Sequence, residues 1–212
     1  SQNGAMACRQ PPHIARRLAF IVFACLLGTA CGGGGDEGTD AVPTLTPAPV
    51  VDDGGSGGVA APSGLWVLNA STSCGLPDFR AGLLQQINAA RATGRTCGGT
   101  AWPAVRSLEW NDLLFSASAK HAADMALNGY FDHTSLDGRT LGQRVTAEGY
   151  NWRAVGENIA AGQSSVSAVM QGWLSSAGHC RNLMSSNFND VGVACVVAAR
   201  GTPYWVMKLG AR

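Results

Sequence analysis

The chain has 212 residues, 46% of them hydrophobic and only 14% charged, with a formal net charge of +1. So small a charge excludes a nucleic-acid partner held through its phosphates, and the length allows one domain with a tail or two small domains. The charge is segregated, however. Residues 1–31 carry Arg9, Arg16 and Arg17 and no acid; residues 32–73 carry Asp36, Glu37, Asp40, Asp52 and Asp53 and no base.

Arg16-Arg17 precede the apolar run Leu18–Leu27, which ends in Gly28-Thr29-Ala30-Cys31. A basic flank, a short apolar core and small residues predict an export signal over 1–31, because spanning a bilayer takes about 20 apolar residues. Cys31, followed by Gly32–Gly35, resembles the lipidated cysteine of a bacterial lipoprotein signal, although Gly28 stands where such signals usually carry an apolar residue. The expected location is therefore a bacterial cell envelope, as an outer-membrane lipoprotein held through its N-terminal lipid, or outside the cell after simple cleavage. Residues 32–73 are rich in Gly, Pro, Asp and Ser and hold too few large apolar side chains to repay ordering, so they read as a linker.

The remaining stretch, 74–212, reads as one domain. Pro77-Asp78 open a helix with Phe79, Leu83, Leu84 and Ile87 on one face, ending near Gly94, and a polar loop runs on to Pro103. Asn111 caps a second helix, Asp112–Asn128, stopped by Gly129; Thr140 caps a third, through Glu148. A strand signal covers Val155–Ala160, and Ser164 or Ser165 opens a fourth helix carrying Val166, Val169, Met170 and Trp173. Two more strands, Val191–Val197 and Tyr204–Leu209, flank the turn Arg200–Pro203 and predict a hairpin. Helices first and strands last point to an α+β domain.

Four cysteines beyond an export signal, Cys74, Cys97, Cys180 and Cys195, imply two disulfides. Three pairings are possible, and the sequence-local one, Cys74–Cys97 with Cys180–Cys195, is the expectation. No CxxC spacing supports a cysteine-ligated metal.

Three segments concentrate groups that bind metal or move protons: Phe131-Asp132-His133, Gly156-Glu157-Asn158, and Trp173 through Gly178-His179. His133 sits in a turn-forming context. Glu157 lies in an otherwise apolar strand, where a carboxylate must be paired, neutral or metal-bound. His179 ends the Trp173 helix beside Cys180. His121 falls on the Leu114/Met125 face of the second helix and reads as a satisfied buried histidine. HExxH does not occur, the domain at 74–212 holds no GxSxG elbow, and Ser175 and Ser176 have no spacing that demands a triad with His179.

The order His133, Gly156-Glu157-Asn158-Ile159-Ala160, Trp173, Gly178-His179, then Val-Gly-Val-Ala and an aromatic strand resembles the CAP superfamily over about residues 79–210. This is the SCP/TAPS group of cysteine-rich secretory proteins, antigen 5 and pathogenesis-related protein 1. Tyr130–His133, Gly138-Arg139 and His179–Met184 are closer to its bacterial branch. The resemblance implies a three-layer α-β-α sandwich around an antiparallel sheet, with a cleft holding two histidines and two acids. His133, Glu157 and His179 match three of the four; Ser176 stands where the second acid is usual, and Ile87-Asn88 where the family has His-Asn. The resemblance also implies Zn²⁺ or another divalent cation on His133 and His179, with Glu157 orienting ligand or water. A monomeric binding module for a small molecule, lipid or peptide is the expectation. A metal-assisted hydrolase and a structural or adhesion domain with a vestigial site are the alternatives, so catalysis is not assumed.

Overall fold

In the computed structural model, which describes residues 64–212, the elements run α1 (Phe79–Arg91), β1 (Arg95–Cys97), β2 (Thr100–Trp102), β3 (Glu109–Trp110), α2 (Asp112–Asn128), α3 (Leu141–Ala147), β4 (Ala154–Ala161), α4 (Val166–Ser175), α5 (Ala177–Met184), β5 (Asp190–Val197) and β6 (Pro203–Ala211). The predicted export signal, Cys31 and residues 32–63 of the predicted linker lie outside the described residues.

The main sheet has the order β3-β5-β6-β4. β5 and β6 form the expected hairpin and β4 pairs antiparallel with β6, whereas the two-residue β3 pairs parallel with β5. Alternation along the strands builds the layers. Val191, Val193 and Cys195 of β5, with Trp205, Met207 and Leu209 of β6, join Phe79, Leu83, Ile87, Val169, Met170, Trp173 and Leu183 of α1, α4 and α5 in one core. The opposite face sends Ala194, Val206 and Ile159 against α2, where Phe115, Ala119, Ala122 and Met125 receive them. The α+β sandwich implied by the motifs is what these layers make.

Local chemistry explains the element ends. Asn111 accepts hydrogen bonds from the backbone N–H of Leu113 and Leu114, and Gly129 closes α2 at φ 67°, a conformation glycine adopts without strain. Thr140 and Gln143 form a reciprocal capping box on α3. Asp78, expected to open α1, does so in the left-handed region with no side-chain cap.

Three expectations are corrected. The cysteines pair Cys74–Cys195 and Cys97–Cys180, with Cα–Cα distances of 5.2 and 5.5 Å, and not by sequence neighbourhood. The reason is α1: its 13 residues separate Cys74 from Cys97 by about 20 Å of helix, well past disulfide reach. The Trp173 helix does not run on to His179. Ser176 breaks it with an extended ψ of 125°, and His179 belongs to a separate helix, α5. Finally, the end of the predicted linker is part of the fold. Thr72 and Ser73 are buried, and Ser73 bridges to Cys195, because the Cys74–Cys195 bond pulls this segment along β5.

Candidate functional site

β4 is an edge strand, and the site forms around it. Glu157 and Lys208 are direct cross-strand partners on β4 and β6, both facing the α2 side. Both side chains are at most 2% exposed, and Lys208 Nζ donates to Glu157 Oε2. Arg144 of α3 adds a second cation: its Nη2 reaches both carboxylate oxygens, at 3.0 and 3.1 Å. The third donor is His133, whose Nδ1 lies 2.9 Å from Glu157 Oε1. One carboxylate thus receives an ammonium, a guanidinium and an imidazole.

The loop between α2 and α3 carries His133, and Arg144 holds that loop too. Its guanidinium donates to the backbone oxygens of His133, at 2.8 Å, and Arg139, at 2.8 Å, and to Ser135 Oγ. The same arginine therefore fixes the acceptor and the loop that presents the histidine. His121 is buried as expected, with Nε2 on the Asp132 oxygen at 3.0 Å and Nδ1 facing Ser135 Oγ. It also lies 4.0 Å from Glu157, so it belongs to this cluster.

His179 reaches the edge from the other face. Asn158, whose side chain points away from Glu157 in the β alternation, donates to the His179 backbone oxygen at 3.1 Å. Asn182 of α5 donates to both the Glu157 backbone oxygen and Asn158 Oδ1. These two asparagines staple α5, the helix that carries His179, to β4. Burial, and then the charge on His133, disfavours a proton on His179. Ser176 is half-buried at the α4–α5 junction, and its side chain caps neither helix. Asn88, the asparagine that follows Ile87, exchanges two hydrogen bonds with the Leu108 backbone and serves the fold.

The ionisation of the cluster follows from these contacts. Burial alone would raise the Glu157 pKa, but Lys208, the His133 hydrogen bond and Arg144 outweigh it and hold the carboxyl well below the usual range. An ionised carboxylate only accepts, so His133 Nδ1 carries a hydrogen and Nε2 is left free. The bond to Glu157 raises the His133 pKa, whereas burial, then the proximity of His133, lowers that of His179. Burial takes Lys208 down to about 8 and His121 to about 4. Two half-open imidazoles with opposed titration, above a locked ion cluster, can bind polar groups or exchange a proton with them.

His133 and Glu157 are thus in contact, the His179 backbone is tied to Asn158 on the same strand, and Ser176 makes no hydrogen bond to any of the three side chains among the described residues. Lys208 and Arg144 were not singled out in the sequence. Lys208 carried a signal, as a lysine inside the apolar strand Tyr204–Leu209, for which burial demands a carboxylate partner. Arg144 carried none, since a helix arginine ordinarily faces solvent.

A sandwich with this edge-strand histidine site defines a class. The family model for the cysteine-rich secretory protein family, CAP, matches residues 84–209. The chain belongs to this family, as its motifs implied. It is 30% identical over 92 residues to the uncharacterized protein YkwD of Bacillus subtilis, covering 43% of this chain and 36% of that protein. It is 34% identical over 86 residues to the uncharacterized membrane protein YlbC of the same organism, covering 41% and 25%. The matched stretch spans well under half the length of either relative. A crystal structure of an extracellular SCP-domain protein from Bacillus anthracis superposes with a TM-score of 0.49 at 27% identity, covering 65% of this chain and 44% of that one. No helix among the described residues is long and apolar enough to cross a membrane.

Proposed function

We propose that this chain is an exported binding module of the bacterial envelope, anchored by lipid on Cys31, that receives a small molecule, lipid or peptide at His133 and His179. The observation carrying the reading is the saturation of Glu157. With Lys208, Arg144 and His133 on its two oxygens, the carboxylate has no free acceptor for a water and is held ionised far too firmly to serve as a general base. The hydrolase alternative needs that base, and the geometry favours recognition over turnover. The exposed Phe131 ring, 6.5 Å from Tyr204, offers an apolar surface two residues from His133.

Among the described residues no three His, Cys, Asp or Glu side chains are grouped to hold a metal. A divalent cation fits this donor set only through the two imidazoles, with Glu157 orienting His133 from behind and not ligating. When bound there, such a cation would polarise a ligand oxygen as a Lewis acid.

Titration calorimetry of the full chain with Zn²⁺, alongside His133→Ala and His179→Ala, tests the cation. Loss of heat in both variants supports the two-imidazole site, and unchanged affinity in both refutes it. Mass spectrometry of molecules released from purified protein tests the module. A co-purified organic ligand lost in His133→Ala supports it, and turnover of peptide or peptidoglycan substrates sensitive to Glu157→Gln would replace it with the hydrolase.

A further inference from the structure

Eight large hydrophobic side chains are substantially exposed among the described residues, and three of them, Trp66, Val67 and Leu68, are consecutive. A run of exposed apolar residues is costly in water and calls for a partner. This one does not hang free. Trp66 N–H donates to Ser116 Oγ at 2.8 Å, Lys120 donates to the Gly64 oxygen at 3.0 Å, and Thr72 Oγ1 donates to the Val67 oxygen at 3.0 Å. The backbone is pinned to α2 and to its own turn while the side chains face outward. Alongside lies an open groove of about 510 Å³ lined by Leu68, Leu76, Phe79 and Leu84, with Asp78 and Arg80 among its polar residues. The apolar surface therefore continues past the three residues.

We propose that Trp66, Val67 and Leu68 are a membrane-contact surface that seats the folded domain on the lipid bilayer to which Cys31 is anchored. The assignment rests on the lipid-anchor reading above. Residues 32–63 separate Cys31 from this patch, at most about 110 Å of chain, so an anchored bilayer is always within reach. The patch is the first part of the described domain that the tether meets. Three partly exposed side chains fall far short of the roughly 800 Å² per partner that a stable protein interface buries. A surface assisted by an anchor needs much less, and a tryptophan beside aliphatic side chains suits the interfacial layer.

The test uses the full chain, produced in a bacterial host that processes lipoproteins, with the mature protein reconstituted into phosphatidylglycerol/phosphatidylethanolamine vesicles. Acyl chains brominated near the headgroup quench tryptophans that enter the bilayer. Quenching in the parent protein that falls at least several-fold in Trp66→Phe, and in Val67→Asp/Leu68→Asp, supports the surface; thermal unfolding of both variants should match the parent. Equal quenching in all three, with lipid on Cys31 confirmed by mass, overturns the surface and leaves the anchor standing. A mass showing no lipid at Cys31 overturns it by removing the tether. A dimer in light scattering that Val67→Asp/Leu68→Asp dissolves overturns it in favour of a second copy on the patch.

Discussion

Glu157 holds three side chains at once, the Lys208 ammonium, the Arg144 guanidinium and the His133 imidazole. Removing one partner of a buried ion pair strands the others, at a typical cost of about 3–5 kcal/mol. Glu157→Gln leaves Lys208 and Arg144 buried together with no counter-charge. It should lower unfolding stability by that order, measured by urea denaturation. The cost should shrink when Lys208→Met is added, since the double change removes both members of the pair. In Glu157→Gln the His133 pKa should fall, because its largest raising contact is lost, and an NMR titration of the imidazole reads this directly. His121 titrates with the opposite sign. Its folded pKa of about 4 lies below the ordinary 6.5, so between these values the unfolded chain binds more protons and stability falls as the pH drops. The loss approaches about 3 kcal/mol below pH 4. Glu157, held below its unfolded value, adds its own loss as the pH falls from the normal carboxylate range through its folded pKa. His121→Gln should flatten the stability profile between pH 6.5 and 4 while leaving the more acidic limb in place.

At the scale of elements, the site depends on how closely α2 lies on the sheet. Gly192 of β5 faces α2, and a Cβ there would overlap the backbone of Leu114 and Phe115. Gly192→Ala should therefore push α2 off the strands and cost about 3 kcal/mol, the upper end for overpacking, because backbone cannot rotate aside. Calorimetric melting of the variant checks it. Gly192 was visible in the sequence only as part of a Val-Gly-Val-Ala strand; its role is a distance, and distances between elements are not written in periodicity. The same limit explains what was legible. α2 and α3 could be placed because Asn111, Gly129 and Thr140 mark ends by local chemistry. The strands β1, β2 and β3 were hidden because two or three residues hold no period. α5 was hidden because the break at Ser176 is a single extended residue between two helical stretches. Of the site, the three residues of the motifs could be named, whereas Lys208 and Arg144 emerge only once β4 meets β6 and α3 folds over them.

Across the described residues, the disulfides tie together segments far apart in sequence. Cys97–Cys180 spans 83 residues and ties the β1–β2 ribbon to α5, next to His179. Cys74–Cys195 spans 121 and ties the entry segment to β5. Loops of these lengths are worth about 4.5–5 kcal/mol each in the chain-entropy model, more than the local pairing would have given. The two bonds should nonetheless have different consequences. Cys74→Ala/Cys195→Ala frees a segment whose bridge to Cys195 lies on β5, away from the β4 edge, so it should lower the melting temperature with little change at the histidines. Cys97→Ala/Cys180→Ala loosens the start of the helix that presents His179, leaving Asn158 and Asn182 beside the histidine and Leu183 in the core to hold it. In that variant the burial that chiefly lowers the His179 pKa, and with it the influence of His133, should relax, and the pKa should rise toward its ordinary value. NMR titration of both histidines in the two variants separates the effects. Equal His179 pKa values in both would show that the asparagine staple suffices and that the second disulfide serves stability only.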